Sequence, residues 1–103
     1  MKYYSKDING KVTEISEDTK DVFCYNNNLT ELKLPKGVEY VYCNNNKLTK
    51  LELPKGVKTF HCWDNNLTEL ELPKGIEFVH CDYIKNISKQ FNKVENKVEI
   101  NIK

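Results

Sequence analysis

Four cysteines recur at one interval. Cys24, Cys43, Cys62 and Cys81 follow one another at a constant spacing of 19, as do Val22, Val41, Phe60 and Val79. Asn27, Asn46 and Asn65 share the period, and so do two leucine columns, Leu29, Leu48, Leu67 and Leu32, Leu51, Leu70. The tetrapeptide LPKG returns with it at Leu34, Leu53 and Leu72. A unit this short cannot bury an apolar face alone. It must stack on its neighbours, so the period predicts a solenoid with one turn of chain per unit.

Each unit divides in two. VEYVYC (38–43) and KTFHCW (58–63) are rich in β-branched and aromatic residues at alternating positions and read as short strands. LPKG reads as a type I turn with Pro at its second position and Gly at its fourth. One strand per unit, always running the same way, gives a parallel sheet with strands ~4.8 Å apart. The alternation turns Val41, Cys43 and their equivalents to the same side as the leucine columns. That side is the interior, and a cysteine there serves as a small hydrophobe.

These residues carry a resemblance. Val38-Glu-Tyr-Val41-Tyr-Cys43-Asn-Asn-Asn46-Lys-Leu48 resembles the leucine-rich-repeat segment L-x-x-L-x-L-x-x-N-x-L with Cys in the sixth position, and residues 57–67 fit the same frame. The short period and the Leu-Pro return are similar to bacterial repeats of the effector and internalin kinds, including internalins with a cysteine column. The resemblance covers residues 19–82 and implies an α/β-type repeat solenoid, mostly β. Its parallel sheet would line the concave side, with irregular turns on the convex side. It also implies that Asn27, Asn46 and Asn65 form a ladder of amides bonded to backbone groups of neighbouring turns. Such repeats serve many unrelated binding roles, so the likeness bears on fold and not on activity.

The whole chain reads as a single domain: an N-terminal cap or degenerate turn (1–20), regular repeats (21–82) and a C-terminal cap (83–103). At the N-terminus Val12-Thr-Glu-Ile15 echoes Leu29-Thr-Glu-Leu32 at an offset of 17, which suggests a shortened unit. Asn9-Gly10 instead signals a hairpin turn, and both alternatives stand. At the C-terminus Ile84, Ile87, Phe91 and Val94 have helical spacing. Val98 and Ile100 then fall one period after Val79 and Cys81, predicting a final strand that closes a sheet of five or six.

Composition excludes several partners. The net charge is +1 and there is no Arg, so nucleic acid is not expected. No stretch approaches the roughly 18 apolar residues of a membrane span, and MKYYSKDINGK lacks the apolar run of a secretory signal. A cytoplasmic protein is therefore expected. Sixteen Lys and thirteen Asn point to an AT-rich source, bacterial or phage. Sequons at Asn28, Asn66 and Asn86 are by-products of the Asn/Thr repetition.

Chemistry is sparse. Zinc sites bring ligands in pairs two to four residues apart, unlike a spacing of 19, and a cytoplasmic chain disfavours disulfides. His61-Cys62 and His80-Cys81 point to opposite faces of a strand and cannot grip one ion. His61 and His80 with Asp64 and Asp82 nearby suggest at most an adventitious metal. No nucleophile–base constellation or phosphate loop is visible, so no enzyme, metal or cofactor is expected. Lys36, Lys55 and Lys74 stack at the turn, but Glu39, Glu52, Glu71 and Glu77 balance them.

The outward strand positions remain. They hold Phe23, Tyr25, Tyr40, Tyr42, His61, Trp63, Asp64, Phe78, His80, Asp82 and Tyr83, among which are seven of the eleven aromatic residues. Packing in the core does not account for them. Cross-strand aromatic ladders would stiffen the sheet, and exposed Tyr and Trp would form a contact surface. Both are compatible with a protein-binding module, an adaptor or inhibitor. A carbohydrate-binding module and self-association are the rival expectations.

Overall fold

A computed structural model describes residues 2–82 and the backbone of 97–101. It is built of strands in two sheets: β1 (Tyr4–Asp7), β2 (Val12–Glu14), β3 (Asp21–Phe23), β4 (Leu29–Lys33), β5 (Tyr40–Tyr42), β6 (Thr59–His61), β7 (Phe78–Asp82) and β8 (Lys97–Asn101). Among the described residues there is no helix, and so none long and apolar enough to cross a membrane. The helical spacing from Ile84 to Val94 lies outside the described residues.

The larger sheet is parallel, in the order β3-β5-β6-β7-β8. Its register is constant at one full period: Val22 pairs with Val41, Val41 with Phe60, Phe60 with Val79 and Val79 with Val98. Ile100 falls beside Cys81, where the period places it. Strands β5 and β6 are shorter than VEYVYC and KTFHCW suggest. Hydrogen bonding nevertheless continues past them, with Cys24, Cys43 and Cys62 each donating N–H to the carbonyl of Tyr42, His61 and His80 at 2.9 Å.

Between strands the chain turns at LPKG, one residue later than expected. The carbonyls of Pro35, Pro54 and Pro73 accept the N–H groups of Val38, Val57 and Ile76 at 3.4, 3.2 and 3.2 Å. Pro thus opens the turn, and Gly stands third. The cause is the residue that closes it: Val38, Val57 and Ile76 have no exposed surface. Burying each contributes about 1.5–3 kcal/mol, which outweighs turn preference.

The core lies between the parallel sheet and the return halves of the units. Val41, Phe60 and Val79 come from the strands and Leu32, Leu48, Leu51 and Leu70 from the returns. Cys43, Cys62 and Cys81 are buried among them, while Cys24, on the first strand, is half-buried.

Asn46 occupies the one buried polar position among the described residues. Its Oδ1 accepts from the backbone N–H of Asn27 and Leu29, both at 3.0 Å, and its Nδ2 donates to the carbonyls of Cys24 and Cys43. Asn65 repeats this towards Leu48, Cys43 and Cys62. Asn27 departs from the expected ladder. It is exposed and its side chain donates to the carbonyl of Tyr25, because β3 is the sheet's edge and no earlier unit offers it a backbone.

The N-terminus is a hairpin. β1 and β2 pair antiparallel around Asn9-Gly10, where Gly10 has φ 83°. The Asp7 carboxylate accepts from Asn9 and Lys11 N–H at 2.9 Å each and holds the turn. β1 also pairs antiparallel with β4, giving a second sheet in the order β2-β1-β4. The first return half is therefore a strand, whereas residues 48–53 and 67–72 are not. Among the described residues only the first lies beside a strand that pairs with it, β1.

Candidate functional site

The strands of the parallel sheet are in register, so their outward side chains form columns with one member per unit. The central column is Phe23, Tyr42, His61 and His80. Phe23 and Tyr42 stack with ring centroids 4.9 Å apart and planes 11° from parallel. Tyr42 and His61 stack at 4.6 Å and 16°. His61 then meets Phe78 at 5.2 Å and the edge of His80 at 5.8 Å, and Trp63 tilts against His80 at 5.9 Å. Five rings on four strands, with Trp63 just beyond β6, thus form one continuous array. Such offset pairs each contribute about 0.5–1.5 kcal/mol beyond area burial.

Two of the outward aromatics stand apart. Tyr25 and Tyr40 are exposed and have no ring partner among the described residues. Phe23, at the sheet edge, is 65% exposed because only one of its faces is covered. Tyr42, His61, Trp63, Phe78 and His80 are half-buried. Tyr83 lies outside the described residues.

The two acids of the surface have a relationship that the spacing does not reveal. Asn26, Asn45 and Asp64 take left-handed φ values of 59°, 57° and 59° at the corner that follows each strand. Asn and Asp adopt that region more readily than other non-glycine residues, which is a conformational reason for Asp64. Its N–H donates to Asp82 Oδ2 at 2.7 Å. Among the described residues, Asp82 Oδ1 is buried without a hydrogen-bond partner.

Beneath this surface lie the thiols of the cysteine column. Burial pushes the Cys24 thiol up to about 12 and the Cys43 thiol well above its ordinary value. Burial also raises Cys62, whose hydrogen bond to Cys81 lowers the latter. Among the described residues, no three His, Cys, Asp or Glu side chains gather as a metal site. Beside the face, Lys58 Nζ lies 3.3 Å from Glu39, which raises the Lys58 ammonium.

On the return side an open groove of about 810 Å³ runs between β4 and residues 49–54, floored by Leu32, Leu34, Leu51 and Leu53. No sequence signal marked it, because its walls come from two successive units. Comparison of the chain with protein-family models, with curated proteins and with solved structures found no match.

Proposed function

We propose that this chain is a non-enzymatic leucine-rich-repeat solenoid that binds a protein partner through the aromatic face of its parallel sheet. The observation carrying the reading is the unbroken array from Phe23 through Tyr42 and His61 to His80 and Trp63. Stacking pre-orders these side chains, so little rotamer freedom is lost when a partner docks, and large amphipathic rings are favoured contact residues. The constant register of 19 and the bonded amides of Asn46 and Asn65 support the repeat assignment. A module of this kind acts as an adaptor or inhibitor by covering or bridging its target.

Carbohydrate binding is less favoured by the ring orientations. Tyr42 and His61 turn their π-faces on neighbouring rings and leave edges to solvent. A sugar needs an open face, whereas ring edges interdigitate well with protein side chains. The test is affinity capture from host lysate with wild-type protein and Trp63→Ala in parallel, with melting temperatures recorded for both. A partner retained by wild type and lost by a variant that melts normally is the expected result. Capture indifferent to Trp63→Ala and to Phe23→Ala would refute the reading.

A further inference from the structure

The first strand of the parallel sheet pairs on one side only. β3 bonds to β5, and in a parallel ladder alternate residues turn both backbone groups to the same neighbour. Lys20 and Cys24 face β5: the Lys20 carbonyl accepts from Glu39 and Tyr40 N–H at 2.8 and 3.2 Å, and Cys24 N–H donates to Tyr42. Asp21 and Phe23, one step out of phase, direct their N–H and C=O to the open side, where no described group meets them.

Behind β3 the molecule extends further than in front. One edge of β4 meets the next unit through Lys47 N–H and the Leu29 carbonyl at 2.8 Å, so β1 and then β2 continue from its other edge, on the open side of β3. Two strands at ~4.8 Å spacing make a step roughly 10 Å deep. Its wall is the β3 edge and its floor the inner face of the hairpin. Leu32, Ser5 and Thr13 pair in line across that sheet. With Leu32 buried, the Ser5 and Thr13 hydroxyls share its face. Phe23 and Tyr25, 65% and 50% exposed, overhang the wall. At the foot, where the chain passes from β2 to β3, Glu17, Asp18 and Asp21 are exposed, with Lys20 the only cation in that segment.

We infer that this step accepts one extended peptide strand, which adds to the sheet beside β3. The unpaired Asp21 and Phe23 groups supply main-chain hydrogen bonds, the basis of strand addition. The peptide's outward side chain stacks on the bare face of Phe23 and is aromatic. Its inward side chains lie over Ser5 and Thr13 and are small, and Lys or Arg at its ends meets the acidic foot. A second copy that adds through its own β3 is not the occupant. In continuing both layers its own β4 would fall where β1 already stands. The inference does not rest on the aromatic face binding a partner, since the main-chain groups of the β3 edge carry it, although Phe23 belongs to both surfaces.

The probe is the acetylated, amidated peptide TKVYVKT, titrated into 15N-labelled full-length protein. The expected result is amide shifts centred on Asp21, Phe23 and Tyr25. Methylating the backbone nitrogens of the two Val weakens binding at least tenfold, or methylating Tyr and the two Lys does so, but not both. Trp63→Ala, whose ring meets His80 and not Phe23, leaves the peptide affinity within twofold, which separates this surface from the far end of the face. Equal binding by both methylated peptides, shifts centred on Tyr42 and Trp63, or no shifts at millimolar peptide would each overturn the proposal.

Discussion

The carboxylate of Asp82 takes the place of a backbone carbonyl for Asp64. At the same corner of the two preceding units, Asn26 N–H donates to the Asn44 carbonyl at 3.1 Å and Asn45 N–H to the Trp63 carbonyl at 3.0 Å. In the third unit Asp64 N–H donates to Asp82 Oδ2 at 2.7 Å. A bond to a charged acceptor contributes about 1.5–3 kcal/mol. Asp82→Ala is therefore expected to lower stability by about that much, and Asp82→Asn by less because an amide oxygen still accepts. Urea unfolding of the three proteins checks the order; an Asp82→Ala midpoint equal to wild type would contradict it.

The asparagine columns offer an internal control. Asn46 bonds to buried backbone of two units through both ends of its amide, and Asn27 makes its side-chain bond at the surface. Removing Asn46 strands donors and acceptors at roughly 1–3 kcal/mol for each buried group left unpaired. Asn46→Ala should cost about 3 kcal/mol or more, whereas Asn27→Ala should stay within about 0.5 kcal/mol. Comparable losses at the two positions would show that the amide bonds do not hold the units together.

Within the aromatic array, stability and binding are separable by position. Tyr42 is half-buried between two ring partners, so Tyr42→Ala should destabilise by about 1–3 kcal/mol. Phe23, with one partner and most of its surface in water, should cost less than about 1 kcal/mol. Paired melting curves test this. A Phe23→Ala loss as large as that of Tyr42→Ala would mean the edge ring is held by more than stacking.

Alkaline titration should weaken the fold through its thiols. The Cys24 thiol ionises near 9.0 when unfolded but about 12 when folded. A group whose folded value is raised gives stability that is intact below the unfolded value and lost as pH climbs towards the folded one. Stability should decline from pH 9 upward, with a shallower slope in Cys24→Ala. Ellman titration at pH 8 should find the native thiols slow and, after denaturation, four of them. Superimposable pH profiles for the two proteins would remove Cys24 from the account.

Much of this is legible in the period. Val98 and Ile100 are matched to Val79 and Cys81 by counting alone, because a parallel register between equal units allows only one offset. The interior position of Cys43 and Cys62 follows from alternation. What the sequence hides depends on neighbours that a repeat does not encode. Asn27 carries the same letter as Asn46, yet it lies at an edge and has no backbone in front of it. Leu29–Lys33 resembles residues 48–52 but becomes a strand because β1 is beside it. The turn at Pro35 closes on Val38, since burial of that valine prevails over the preference for Pro in second place. The outward column can be placed by counting, but not the angles at which Tyr42 and His61 meet.

The constant offset makes the molecule a ruler. Because each strand pairs with the next at the same offset, duplicating residues 39–57 would add a strand between β5 and β6 with both of its seams already matched. The two ends would move apart by one strand spacing, ~4.8 Å, without either changing its own contacts. Reach along the sheet can thus be altered in whole increments while the chemistry of each terminus is inherited intact.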